Sequence, residues 1–292
     1  MEHILNELSL VGQYSSIDDF VKHGALPLAD VLTEISKFGG SLLYKKSDFY
    51  QCKALPNKTF HDVVFTGINA RLSDELRRLK SRMAALMNDP YWDLDSKQGE
   101  SAIYLMVDAS QKDADVSGTS VAEAFVRKAC LVSFSKSAFE QATVSVKESA
   151  DSEYKSVDNV WQKGHVCEVL RKAGFLSIPD YIVYTYSNKL DFSQIDARYG
   201  FALINSMNIS LFESGFKKFN QLSWPQIAID EGLDFKEFNN NRNTRPYITN
   251  DVWRKGVKKF RVSREIRCFG YVEDGVFRVL RFDLEHELSD LG

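Results

Sequence analysis

Lys258-Lys259-Phe260-Arg261-Val262-Ser263-Arg264-Glu265-Ile266-Arg267, followed by Cys268-Phe269-Gly270-Tyr271-Val272-Glu273-Asp274-Gly275-Val276-Phe277-Arg278-Val279-Leu280-Arg281-Phe282, decides the fold of the last third of this chain. Asp274-Gly275 is a two-residue turn whose positions tolerate positive φ, and β-rich segments flank it, so the pattern predicts a β-hairpin. The same stretch carries many fixed positive charges. Arginines rising from a twisted antiparallel sheet make a rigid surface for phosphates. That combination points to nucleic acid, RNA first, and does not by itself imply catalysis.

Around this stretch the charge is uneven. Residues 241–268 hold nine basic side chains (Arg242, Arg245, Arg254, Lys255, Lys258, Lys259, Arg261, Arg264, Arg267) against two acids, Asp251 and Glu265, while the whole chain has a net charge of −3. A basic patch on an acidic chain attracts polyanions. The 292 residues suffice for one large or two medium domains, and 44% hydrophobic with 26% charged residues is ordinary for a globular protein. Cys52, Cys130, Cys167 and Cys268 are far apart and form no C-x-x-C pair, which speaks against a structural zinc site or a disulfide framework. The expectation is reduced thiols in a cytoplasm. No basic-then-apolar leader opens the chain and no run of about 18 apolar residues occurs, so neither a signal peptide nor a membrane partner is expected.

Upstream, the apolar positions Leu72, Leu76, Leu79, Met83 and Leu86 recur at helical spacing and predict a helix over 72–87. Residues 102–107 read as a buried strand ending in Asp108. Ser120-x-x-Glu123 reads as a capping box opening a helix to about 129. Residues 59–66, 131–135 and 143–147 read as strands, 157–174 as an amphipathic helix, and 192–205 as a helix followed by another over 210–219. Ser223-Trp224-Pro225 starts a further short helix. The polar Ser187-Asn188-Lys189 marks the expected domain boundary. The fold class is therefore α+β: a mixed α/β module of unassigned role over 1–185, then a helix with a twisted antiparallel sheet over 186–292.

The C-terminal order is a helix, Leu222-Ser223-Trp224-x-x-Ile227, a polar linker, Lys259-Phe260-Arg261-Val262-Ser263, Arg267-Cys268-Phe269-Gly270-Tyr271, the hairpin, and Phe282-Asp283-Leu284-Glu285-His286-Glu287-Leu288. This resembles the small bacterial ribonuclease toxins of the RelE-like superfamily, over roughly residues 205–292. The resemblance implies metal-independent RNA cleavage without a cofactor, usually of messenger RNA on the ribosome, by attack of the 2′-hydroxyl with Arg and Lys stabilising the phosphate. Arg261, Arg264 and Arg267 match its basic sheet positions, and His286 matches a late polar position. Two departures stand out: about 200 residues precede the matching segment, and the end of the chain is acidic at Asp283, Glu285, Glu287 and Asp290.

In the enzymatic reading Arg261 and Arg267 hold the scissile phosphate and Lys258 and Lys259 steer the backbone. His286 or Tyr271 moves a proton, while Arg242, Arg245, Arg254, Lys255 and Arg264 bind RNA. Such a domain would serve as a toxin or a phage-defence effector, with a protein inhibitor or partner subunit. Arg261 and Arg267 share a face only if their strand runs unbroken, with Arg264 opposite. The competing assignment pairs these arginines with Glu265, Glu285 and Glu287 on neighbouring strands, leaving a non-catalytic interaction subunit of a bacterial defence or toxin–antitoxin assembly. A third reading is a Mg²⁺-dependent, PIN-like nuclease centred on Asp108, with Asp113, Asp115 and Glu123 nearby in sequence.

Overall fold

A computed structural model describes residues 1–37, 42–67, 74–107, 112–149 and 153–291. Asp108 lies outside the described residues. Helices and several sheets give a mixed α+β chain, divided into two compact units, Met1–Phe175 and Leu176–Gly292. The polar Ser187-Asn188-Lys189 is no linker. Lys189 donates from its backbone and its amine to Asn220, and its carbonyl accepts from Phe277, which ties the segment into the second unit.

In the first unit the strands are β1 (Glu2–Leu5), β2 (Leu42–Tyr44), β3 (Lys53–Leu55), β4 (Lys58–Thr59), β5 (Tyr104–Val107), β6 (Asp113–Asp115), β7 (Cys130–Val132), β8 (Thr143–Glu148) and β9 (Lys155–Val160). The helices are α1 (Ile17–Phe20), α2 (Leu26–Lys37), α3 (Phe60–Asp62), α4 (Asp74–Ala85), α5 (Ser120–Arg127) and α6 (Lys163–Lys172). Seven strands form one sheet in the order β2-β1-β7-β9-β8-β5-β6, parallel from β2 to β9 and antiparallel beyond. Its central strands are buried on both faces. Ile4 sits beside Leu131 on the face where Val121 and Ala124 of α5 pack, and His3 sits beside Cys130 on the other. Such continuous apolar strands are the mark of a covered parallel sheet. Burial pushes the His3 imidazole down to about 4.

Three local expectations give way to tertiary context. Residues 60–67 are helical, because Thr59 and Asp62 form a reciprocal cap. Residues 157–160 complete β9, so the amphipathic run becomes helical only at α6. Ser120 and Glu123 form no capping box. The Ser120 N–H donates to Glu7 (2.9 Å), and buried Glu123 instead accepts from Lys97 N–H, Ser96 and Arg127.

Glu7 is buried, with Oε2 lacking a hydrogen-bond partner among the described residues. Burial raises its carboxyl above the ordinary 4.5, against the lowering pull of its bonds to Ser120. The folded state thus keeps this proton to higher pH than the unfolded chain, and stability drains away as pH rises from about 4.5 through the folded value. Glu7→Gln should raise the melting temperature at pH 7 and leave it unchanged below about pH 4. Melting curves across that range check both halves.

In the second unit, α7 (Ile178–Tyr186) precedes β10 (Leu190–Asp191), α8 (Ile209–Gln221), α9 (Trp224–Ile229), β11 (Lys236–Glu237), α10 (Asn250–Trp253), β12 (Val257–Arg261), β13 (Arg267–Glu273) and β14 (Val276–Asp283). The sheet order is β10-β14-β13-β12-β11, antiparallel except for the β10–β14 edge. The β13–β14 hairpin turns at Asp274 (φ 52°) and Gly275 (φ 74°), the geometry that a two-residue loop demands. Residues 192–205 are mostly irregular rather than a regular helix. Asp196 accepts from the N–H groups of Arg198 and Tyr199, and this segment straps along β14 through Asp196 N–H to Leu280 O and Phe282 N–H to Tyr199 O. Short polar side chains that bond their own backbone compete with helix in this way.

One sheet face receives α8. Phe219 meets Phe260 at 4.5 Å between ring centroids, and Phe212 meets Phe282 at 4.9 Å. The opposite face carries a smaller apolar group of Phe238, Ile248, Trp253, Val257, Phe269 and Leu288. At the β13–β14 register shift beside Gly270, a Cβ would stand 2.2 Å from the Arg278 carbonyl oxygen and 2.6 Å from the Phe277 ring. Gly270→Ala should therefore destabilise by about 3 kcal/mol, the upper range for overpacking, because backbone cannot yield as a flexible side chain would. Chemical denaturation measures it.

Candidate nucleic-acid interface

The strand carrying Arg261 and Arg267 is broken. β12 ends at Arg261, residues 262–266 turn, and β13 starts at Arg267. The break nevertheless unites the two arginines, because the register sets Arg261 directly opposite Arg267, and Arg267 opposite Asp283. Cross-strand partners share a face. By the same register Lys259, Phe269 and Arg281 form one row, and Val257, Tyr271 and Arg278 the next. Five cations thus rise from the face opposite α8, with Asp283 among them.

They are not equally available. Arg261 reaches Asp234 at 3.4 Å and stays partly exposed, and its Nε has no hydrogen-bond partner among the described residues. Partial burial pushes the Asp234 carboxyl up, but Lys236, Arg261 and Arg267 outweigh this and hold it below the usual range. Arg267 donates through Nη1 to the carbonyls of Ser263 (3.0 Å), Arg264 (3.1 Å) and Ile266 (3.3 Å), so it braces the turn. Arg278 pairs with Asp191. Lys259, 8% exposed, donates to Ser289 O (3.1 Å) and lies over the Phe238 ring. Burial first, and then the charges of Lys236 and Arg267, push its pKa down. That corrects its assignment as a steering cation.

Tyr271 is corrected likewise. It is 1% exposed, its hydroxyl donates to Gln194 (2.9 Å), and the Lys255 amine contacts both its hydroxyl and its ring. Its ring is packed and its hydroxyl is engaged by Gln194 and Lys255. Lys255 is drawn to Glu273 at 2.8 Å, which raises its pKa. Lys258 lies on the α8 side, over Phe235 and 3.3 Å from Glu237. His286 is not on a strand, since β14 ends at Asp283 and His286 sits in the following turn at φ 60°. Among the described residues Arg254 pairs with exposed Asp251. Arg242, Arg245 and Arg264 are exposed with no ion pair to any described residue, Arg245 touching the neutral Asn240. The acids expected to neutralise the sheet, Glu265, Glu285 and Glu287, make no ion pair with Arg261 or Arg267 among the bridges described; Asp234 takes that place for Arg261.

Arg281 stands in the hairpin stretch but was not among the residues that the sequence singled out for the site. It is 6% exposed and its guanidinium lies 3.9 Å from the Tyr199 ring centroid and 5.7 Å from that of Tyr247. It has no hydrogen bond or ion pair with any described residue, and Nε is wholly enclosed. It opens on a hollow of about 190 Å³ lined also by Tyr199, Leu203, Asp283, Glu285 and Glu287. Asp283 is itself committed, accepting from the N–H groups of Leu288 and Ser289. Arg278 and Arg281 are three apart and would oppose one another on a regular strand. The register shift between Phe269 and Gly270 brings them to one face, and no residue pattern announces it.

Of the carboxylates nominated for a metal, Asp113, Asp115 and Glu123 are described, and each is engaged elsewhere. Asp113 pairs with Lys147 (2.9 Å) and Tyr154, Asp115 holds Ser117, and Glu123 is buried against Arg127. Among the described residues no three His, Cys, Asp or Glu side chains gather as a cation site, and no helix is long and apolar enough to cross a membrane. No family model, curated protein or solved structure matches the chain.

Proposed function

We propose that residues 176–292 bind single-stranded RNA without cutting it, one base entering the hollow beside Arg281 and the phosphates lying on the surrounding arginines. The supporting observation is Arg281 itself. Of this guanidinium only Nε is enclosed, so its Nη groups remain open to a ligand, and an oxygen or ring nitrogen in the hollow would give them the acceptor that no described residue supplies. Tyr199 lines the hollow and Tyr247 flanks Arg281 beside it, and stacking on aromatics and guanidinium planes is how single-stranded bases are held. Exposed Glu285 and Glu287 would repel a phosphate in the hollow but accept from the N–H groups of a base edge. Cleavage has weaker support, since buried Tyr271 lacks access to a 2′-hydroxyl.

A labelled single-stranded RNA mixed with the full-length protein in EDTA tests binding and cleavage together. The expected result is a retarded, intact RNA, displaced poorly by base-free polyphosphate of equal charge. Cut RNA would overturn the non-cleaving reading. Equal displacement by polyphosphate would remove the base from the account.

A further inference from the structure

Lys45 belongs to the first unit and is not one of the residues proposed to bind RNA. Its N–H donates to Pro90 O (3.4 Å) and its carbonyl accepts from Trp92 N–H (3.0 Å), which fixes its backbone just past β2. The side chain is 3% exposed, with the amine 5.6 Å from the centroid of the Tyr91 ring. It makes no hydrogen bond or ion pair with any described residue. It lines a cavity of about 420 Å³ whose other walls come from α2, β2 and α4 with the turn that follows it. That volume falls within the range of small-molecule sites.

The walls are apolar at Leu32, Ile35, Leu43 and Leu86, and charged at Arg82 and Asp89. Arg82 is exposed and already held through Nη1 by Ala29 O and the Thr33 hydroxyl. Asp89, also exposed, makes no ion pair with Lys45 among the bridges described. Burial pushes the Lys45 pKa down, with Asp89 partly opposing. The lysine stem is buried while its amine opens on this hollow, and with no acceptor among the described residues it is free to receive one negatively charged oxygen group.

We propose that this cavity binds a small monocarboxylate, its carboxylate on Lys45 and its hydrocarbon body against Leu32, Ile35, Leu43 and Leu86. A phosphate would need more donors than one amine and a partly committed arginine supply, and would gain nothing from the apolar walls.

Calorimetric titration of the full-length protein with hexanoate, and with hexan-1-ol as the neutral match, tests this. Hexanoate should bind, Lys45→Met should weaken it at least tenfold, and hexan-1-ol binding should hardly change. Ala85→Trp, at an exposed helix position lining the cavity, should block both ligands while circular dichroism stays native. It keeps the test open should Lys45→Met fail to fold. Failure of every unbranched carboxylate from acetate to decanoate to bind would overturn the proposal. Hexanoate binding undiminished in Lys45→Met, or in folded Ala85→Trp, would do so as well.

Discussion

The combined variant R242A/R245A/R261A/R264A is expected to lose most of the salt-sensitive affinity for single-stranded RNA. Each phosphate neutralised on a single strand contributes about 0.7 to the slope of log K against log salt, so four cations contribute about 2.8. Between roughly 50 and 200 mM salt, the wild-type affinity should therefore fall about fiftyfold further than that of the variant. These four are chosen on geometry. Arg242, Arg245 and Arg264 carry no ion pair to a described residue, and the Arg261–Asp234 contact at 3.4 Å is partly exposed, where such pairs weigh little. Arg267 is left in place because it braces the 263–266 turn, and Lys259 because it is buried. Fluorescence anisotropy at several salt concentrations gives the slope, and an unchanged slope would remove these arginines from the interface.

Phe216→Ala is expected to have the largest effect on stability. Phe216 is fully buried where α8 meets the sheet, with rings of Tyr186 (5.7 Å), Phe192 (5.5 Å) and Phe282 (5.9 Å) around it. Truncating a buried phenylalanine costs about 3–5 kcal/mol, combining lost transfer energy with the cavity left behind. For a unit near 100 residues this lowers the melting temperature by roughly 10–20 °C. Calorimetry reads it directly. A loss below about 1 kcal/mol would mean that this aromatic layer repacks freely, contrary to the close packing expected of a core.

Local chemistry made some of the fold legible. The Asp274-Gly275 turn, the Ser223-Pro225 helix start and the helix containing Leu79 and Met83 are fixed by neighbours in sequence, and they stand in the structure. What went unread depends on distant partners. Ser120 and Glu123 look like a reciprocal cap until Glu7, 113 residues away, takes the Ser120 N–H. Residues 192–205 look helical until β14 offers them an edge. The interface followed the same division. The excess of positive charge between 241 and 268 is plain in the sequence, and so is the pairing of Arg261 with Arg267 as candidates. The burial of Tyr271 and Lys259 is not, because it comes from Gln194, Phe238 and Ser289 on other segments. Nor is the alignment of Arg281 with Tyr199, which needs a one-residue register shift and a contact across 82 positions.

Photo-crosslinking tests the central claim most directly. A single-stranded RNA carrying 4-thiouridine, irradiated on the full-length protein under saturating conditions, should attach to Tyr199 or Tyr247, the rings flanking Arg281. Attachment confined to residues 1–175, or none at all despite saturated binding, would contradict the base-binding hollow and with it the account of the second unit.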